Sequence, residues 1–449
     1  MTGAEEDWTL IARACAKVSE SRLWRMHEEM AAFGAIPGPG VNRQAFSAED
    51  IAARRAMLAW LKPYGFEIFV DDIANLFIRR AGRNPDLPPV TTGSHMDSQP
   101  RGGRFDGIYG VLAGIEVLFA LEDAGLATEH PLEVVAWSNE EGSRFAPGAM
   151  GSMVYSGARR LDEVLDSQDG DGVVLRDALA ATLAATPQAR PRALGSPAAA
   201  YIEAHIEQGP LLEQQATTIG VVTGIQGTRW FSVELRGESA HAGTTPLAVR
   251  RDAFQAAVAV VNELNALVAA EPEDLRFTIG RFDVGPNTPN SVADRVSFSI
   301  DMRHPDAALV RRVGDAIMRL CDGERLGCRL SIVENFNRPP CAFAPDIVDA
   351  VEAAARLLGE SHLRLASGAF HDALFMNDIC PTGMIFVPCE RGISHNPAEN
   401  AAPADLAAGA RVLLAPLAGL ATTPAYPPLP RQMAARRGPA LHSLTSESR

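Results

Sequence analysis

The chain has 449 residues, a formal net charge of −14, 47% apolar and 21% charged residues, the balance of a globular protein too long for one hydrophobic core. The acidity, with no long basic run, argues against a nucleic-acid partner, because phosphates need a basic face. Six dispersed cysteines without a CxxC pair suit free thiols in a reducing compartment. The first residues lack the form of a signal peptide, and the longest uncharged stretch, 412–430, holds five prolines, so the expectation is a cytoplasmic protein with no membrane span.

Apolar residues recurring every three or four predict helices over 7–33 and 48–64, followed by short strands at 66–71 and 74–79. "PPVTTGSHM" (88–96) begins as a strand and ends in polar residues, "GVLAGIEVLFALEDAG" (110–125) is a helix, and "PLEVVAWSNEEG" (131–142) is an apolar strand ending in acids. This alternation predicts an α/β domain with a mixed, mostly parallel sheet flanked by helices, whose ligands lie beyond the carboxyl ends of strands. Residues 166–199 read as a helix-bearing surface excursion; their "SQDGDG" fails as a calcium loop because Ser167 and Ala178 stand at the first and last ligand places.

From about 216 the texture changes. Strands at 218–227 and 229–237 read as a pair, followed by a helix over 250–271, strands at 276–285 and 294–304, a helix at 306–322 and a strand at 328–337. In 296–303, Val296, Phe298, Ile300 and Met302 alternate with Ser297, Ser299, Asp301 and Arg303, which leaves Arg303 on an open face. The block predicts a two-layer α+β domain inserted into the first. The α/β texture then returns with a helix at 345–358, a strand at 383–388 and a helix at 402–420. The expected organisation is therefore 1–215 and 335–424 for one domain, 216–334 for the insertion and 425–449 for a loose tail.

The chemistry-bearing residues collect at element ends. His95 closes one strand with Asp97 two places on; Asp106 follows a glycine-rich loop; Glu140 and Glu141 close the next strand; His205 and His395 lie in Gly/Pro-containing loops. Mixed imidazole and carboxylate donors suit zinc, manganese or nickel, and one shared carboxylate bridges metals roughly 3.5 Å apart in binuclear sites. Of adjacent glutamates, one can bind metal while its free neighbour moves protons, and an acid such as Asp97 can orient a histidine ring. Singly, each residue reads more readily as a cap, a turn or a solvated surface group; only their gathering at consecutive strand ends points to a metal site.

"GSHMDS" (93–98), "GGRFDG" (102–107), "NEEGSRF" (139–145), "HIEQGP" (205–210), "SAHAGTTP" (239–246), "PNSVADR" (289–295), "DMRHP" (301–305) and "GISHNPAE" (392–399), in this order, resemble the binuclear metal-dependent amidohydrolases that include N-carbamoyl-L-amino-acid hydrolase, β-ureidopropionase and allantoate amidohydrolase. The resemblance implies that His95, Asp106, Glu141, His205 and His395 hold two divalent ions (Zn, Mn, Ni or Co), with Asp106 bridging. It implies Glu140 as general base and later acid, and Asp97 as the support of His95. It also implies a homodimer whose inserted lid and dimerisation domain brings His241, Asn290 and Arg303 to the partner's site in trans, with Gln208 acting in cis. His241 suits an oxyanion donor, and Arg303 and Asn290 suit a substrate carboxylate or ureido group.

The expected reaction is hydrolysis of an N-carbamoyl amino acid, a small carboxylate, to the free amino acid, CO2 and ammonia. Allantoate hydrolysis stands second, aminoacylase or dipeptidase activity third, and an inert metal-binding scaffold is the non-enzyme alternative. The sequence departs from the family's pattern at "SGAFHDA" (367–373), where Phe370 replaces a glycine, and at Cys389, Glu390 and Arg391; both bear on substrate identity rather than on the metals. His371 and Asp372 are expected to act behind the site at most.

Overall fold

The computed structural model describes residues 3–422; the expected tail at 425–449 lies outside the described residues. The chain forms two compact units, one running to Thr223 and resuming at Phe343, the other Gly224–Ala342. These boundaries fall eight residues after the expected 215/216 and 334/335. Hydrogen bonding explains the first shift, because the strand that begins at Ile219 is paired inside the larger unit.

The chain opens with helices α1 (Gly3–Cys15), α2 (Glu20–Ala31) and α3 (Ala48–Leu61). A single helix over 7–33 is therefore not formed. Ser19 adopts an extended backbone and its hydroxyl accepts from Arg22 N, capping α2 as a new start. Then come β1 (Glu67–Val70), β2 (Leu76–Arg80), β3 (Val90–His95), α4 (Ile108–Ala124), β4 (Leu132–Trp137), α5 (Met150–Tyr155), α6 (Leu175–Ala184), β5 (Arg190–Pro191), β6 (Ala200–Ile206), α7 (Leu211–Gln214) and β7 (Ile219–Ile225).

The second unit contains β8 (Gly227–Arg236), α8 (Ala253–Ala269), β9 (Arg276–Thr278), β10 (Phe282–Gly285), β11 (Arg295–His304), α9 (Ala307–Leu320), β12 (Gly323–Arg325), β13 (Cys328–Arg338) and β14 (Cys341–Ala342). Its antiparallel sheet runs β10-β11-β8-β13-β12, with β9 also on β11. The buried face of β11, Val296, Phe298, Ile300 and Met302, packs with Val260 and Leu264 of α8 and Val313 and Ile317 of α9. The expected strand at 276–285 is two strands, facing separate parts of β11 at Asp301–Arg303 and Arg295–Phe298.

The return through α10 (Pro345–Leu357), β15 (His362–Ser367), α11 (Ala373–Met376), β16 (Thr382–Val387) and α12 (Pro403–Thr422) completes the larger unit. Its sheet takes the order β7-β16-β6-β3-β4-β2-β1-β5. The central strands β16, β6, β3 and β4 are mutually parallel, whereas β7 and β2 run antiparallel to their neighbours. The expected pairing of 218–227 with 229–237 is overturned: β7 pairs with β16, and β8 lies between β11 and β13. Burial explains the difference. β7 is buried at every residue but Thr223, as a strand covered on both faces must be, while β8 alternates in its second half.

α12 is long and apolar enough to cross a membrane, but most of it is buried against α1, α4 and α10, which makes it a core helix. All six cysteines are free.

One buried ion pair braces the turn beyond β4. Arg54 Nε donates to Asp50 Oδ1 at 3.0 Å, and its other nitrogens donate to Ala74 O and to Ser138 Oγ, next to the acid pair. Removing one partner of such a pair strands the other charge. Asp50→Ala is expected to lower the unfolding free energy by about 3–5 kcal/mol in urea titrations; a loss under about 1 kcal/mol would deny the pair this role.

Candidate metal centre

Four parallel strands deliver polar groups to one edge of the sheet. β3 ends at His95, β4 leads through Ser138 and Asn139 to Glu140 and Glu141, β6 carries His205 one residue from its end, and the loop after β16 carries His395. The Gly-rich loop between β3 and α4 brings Asp106 among them. Gly107, with φ of 66°, turns this loop so tightly that a Cβ there would sit 2.2 Å from the His95 ring. Asn139, Gln208 and His395 also hold positive φ. Such conformations cost about 1–3 kcal/mol each and gather where geometry serves a site.

Asp106 is the hub. Its Oδ1 lies 3.3 Å from His205 Nε2 and 4.0 Å from His95 Nε2, and its Oδ2 lies 3.3 Å from His395 Nε2. Glu141 Oε2 is 3.4 Å from that same His395 nitrogen. Two three-donor groups result, His95–Asp106–His205 and Asp106–Glu141–His395, each with its donor atoms within 4.8 Å of one another and both using Asp106.

The rings are fixed for this purpose. His95 Nδ1 donates to the Asp97 carbonyl at 2.9 Å and His205 Nδ1 to the Ile206 carbonyl at 2.8 Å, so each ring turns its Nε2 toward the cluster, where that of His205 also accepts from Gly107 N at 3.1 Å. The expected carboxylate support of His95 is thus supplied by backbone instead. The Asp97 side chain, 3.8 Å from His95 Nδ1, accepts from the amides of Glu140 and Glu141 and so holds the acid pair in place. Gln99 fixes Glu141, donating from Nε2 at 2.6 Å and from its backbone at 3.1 Å.

Glu140 belongs to neither donor group, although its Oε2 lies 3.5 Å from His95 Nε2. Gln208 Nε2 donates to Asp106 Oδ2 at 2.9 Å, which puts it beside the hub carboxylate. The inserted unit carries the other expected residues. His241 is exposed; its Nδ1 accepts from the amides of Gly243 and Thr244, and it bridges Ser291 beside Asn290. Arg303 is forked onto Asp301 of the same strand, at 2.9 Å from Nε and 2.8 Å from Nη2.

Two residues not singled out from sequence complete the site. Glu399 is buried and its Oε1 accepts from the amides of Phe105 and Asp106, while its Oε2 lies 3.1 Å from Ser394 Oγ; it ties the Gly-rich loop to the His395 loop. The acid at the end of "GISHNPAE" was its only signal. Glu203, two residues before His205 on the same strand face, accepts from Ser94 Oγ at 2.6 Å and Ala373 N at 2.9 Å. Glu203, His205 and His371 also bring three donor atoms together. There, however, Glu203 is committed to hydrogen bonds, His371 bonds Ser367, and the His371 ring stands edge-on to His205 at 4.5 Å, which is the arrangement of a support.

The electrostatics call for cations. Burial, with Asp106 alongside, pushes Glu141 up to about 8, and burial pushes Asp97 and Glu399 up to about 7. Glu140 is driven well above the usual carboxylate range by burial and then by Asp372 and Glu141. Burial takes His95 down to about 4, keeping it neutral. Asp106 instead raises His395, to about 9, and raises His205 against its burial, so the crowded buried acids already draw positive charge, which divalent ions supply once the donors are deprotonated.

Comparison with known proteins agrees with this chemistry. Residues 91–418 match the model of peptidase family M20/M25/M40. An N-carbamoyl-L-amino-acid amidohydrolase of Rhizobium meliloti is 37% identical over 402 residues, 88% of this chain and 95% of the relative. A ureidoglycolate hydrolase of Arabidopsis thaliana is 34% identical over 406 residues, 88% of this chain and 85% of the relative. The crystal structure of a hydantoinase/carbamoylase-family amidase from Burkholderia vietnamiensis superposes with a TM-score of 0.82 at 44% identity, covering 91% of this chain and 98% of that one.

Because Asp97 clamps the turn that carries both glutamates, Asp97→Ala is expected to weaken retention of divalent metal about 10–100-fold in competition with a chelator. Unchanged retention would separate Asp97 from the centre.

Proposed function

The chain belongs to peptidase family M20/M25/M40, a family of metal-dependent hydrolases, and we propose that it cleaves the ureido C–N bond of an N-carbamoyl amino acid to the free amino acid, CO2 and ammonia. The observation that carries this reading is an acid outside the donor groups, Glu140, beside two such groups that share Asp106. His95, Asp106 and His205 would hold one divalent ion, and Asp106, Glu141 and His395 a second. Bound there, the ions supply Lewis acidity and lower the pKa of water. That is what a ureido carbonyl, deactivated by donation from two nitrogens, requires.

In this reading Glu140 takes the proton of the attacking water and passes it to the leaving nitrogen; the carbamate released decomposes to CO2 and ammonia. Its raised affinity for protons suits the second half of that task. Gln208 orients Asp106. His241, as donor to the developing oxyanion, and Asn290 and Arg303, as partners of the substrate carboxylate, act from a second copy of the chain, so that the working form is a homodimer. Arg303 must then exchange its fork from Asp301 to the substrate. With six free thiols, the reading places the protein in the cytoplasm.

A second reading, hydrolysis of allantoate or a related ureido acid, is favoured by the similarity to the plant ureidoglycolate hydrolase. Aminoacylase or dipeptidase activity is less well supported. An inert scaffold is disfavoured because all five donors and Glu140 are present together.

A panel of N-carbamoyl-L-amino acids, N-carbamoyl-β-alanine, allantoate, ureidoglycolate and N-acetyl amino acids, assayed with Mn, Zn, Co and Ni, tests the assignment. Turnover of carbamoyl amino acids above the rest is expected, and turnover of the acetyl compounds alone would refute it. Glu140→Gln is expected to lower kcat by about 10²–10⁴-fold while metal content stays at the parental level; full activity in that variant would remove Glu140 from its role.

A further inference from the structure

The loop 367–373, "SGAFHDA", is held at both ends. The Ser367 hydroxyl accepts from Ala369 N at 3.1 Å and lies 2.9 Å from His371 Nε2, and the Asp372 carboxylate accepts from Ser152 Oγ at 2.5 Å. Ser367, His371 and Asp372 are all buried. His371 sets its ring edge-on against His205, so the loop lies directly behind a donor of the centre.

Phe370 is half-buried between these anchors. The far end of its ring reaches the turn that carries the acid pair: a Cβ on Gly148 would lie 3.1 Å from Phe370 Cζ, 2.6 Å from the Glu140 carbonyl oxygen and 3.6 Å from the Glu141 carbonyl carbon. The ring tip therefore faces the backbone of the turn that carries Glu140 and Glu141, from a loop whose His371 packs against His205. A pinned loop leaves it little freedom to withdraw, and the bare Gly148 leaves room for its tip. Where a glycine would leave open space against this turn, the chain has an apolar ring.

We infer that Phe370 is a specificity-determining residue that caps the size of the amino-acid side chain the site accepts, selecting carbamoyl derivatives of small amino acids over bulky ones. The inference rests on the ureido-hydrolase reading for its substrate and for its geometry. Glu140 serves the leaving nitrogen, so the part of the substrate nearest the Phe370 ring is the amino-acid moiety that departs with that nitrogen. A fixed wall discriminates by refusing volume, and one methylene group of misfit changes kcat/KM by about 10–200-fold.

The test compares the full-length, metal-loaded parent with Phe370→Gly and Phe370→Leu, using N-carbamoylglycine and N-carbamoyl-L-phenylalanine. The parent is expected to favour the glycine derivative, and Phe370→Gly to raise the phenylalanine-to-glycine ratio of kcat/KM by at least about 10-fold, with Phe370→Leu in between. A ratio within about 2-fold of the parent's in both variants, at parental metal content and melting temperature, would overturn the inference. So would a parent that prefers the phenylalanine derivative and loses that preference in Phe370→Gly. Calorimetric binding of the free amino acids glycine and L-phenylalanine gives a second readout that needs no turnover, and the same shift is expected there. If no carbamoyl compound is hydrolysed by any of the three proteins while the binding preference still shifts, the reaction assigned to the site fails and the size limit stands.

Discussion

The donor cluster of the larger unit is organised around one carboxylate. Asp106 is buried with three imidazoles around its two oxygens, and no other group in the site has so many partners to satisfy at once. The neighbouring His205 and His395 imidazoles outweigh its burial and hold its carboxyl well below the usual carboxylate range. The same negative charge raises Glu141 and Glu399, so the acids around Asp106 can all ionise only when positive charge is brought in. Positive charge brought to the two donor groups that share Asp106 would resolve that conflict.

The surrounding structure reads as scaffolding for this arrangement. Glu399 grips the backbone of Asp106, Gln208 and Ser394 meet its Oδ2, and Gly107 allows the loop to pass under the His95 ring. Asp97 holds the amides of both glutamates, and backbone carbonyls set both buried imidazoles. The parallel strands β3, β4 and β6 make the convergence feasible, since residues about a hundred positions apart arrive at one edge of one sheet.

Much of this was legible in the sequence where the physics is local. Polar residues closing apolar strands marked His95 and the Glu140–Glu141 pair, and strict alternation in 296–303 gave the buried face of β11 correctly. What was not legible depends on partners far away in the chain. The strand starting at 219 looked like the first arm of a hairpin, but its near-complete burial belongs to a strand inside the larger sheet. Ser19 splitting a helical pattern, and Asp97 offering His95 its carbonyl rather than its carboxylate, are decided by hydrogen bonds that no spacing displays. Glu399 escaped notice because its task, bonding amides almost three hundred residues earlier, leaves no periodic trace.

The claim that Asp106 joins two metal positions is tested most directly by titrating the metal-stripped protein with Co(II) and following ligand-field absorption. The account predicts two equivalents bound per chain, with tight uptake at both positions lost in Asp106→Ala. One equivalent in the parent, or two equivalents bound as tightly without the Asp106 carboxylate, would contradict it.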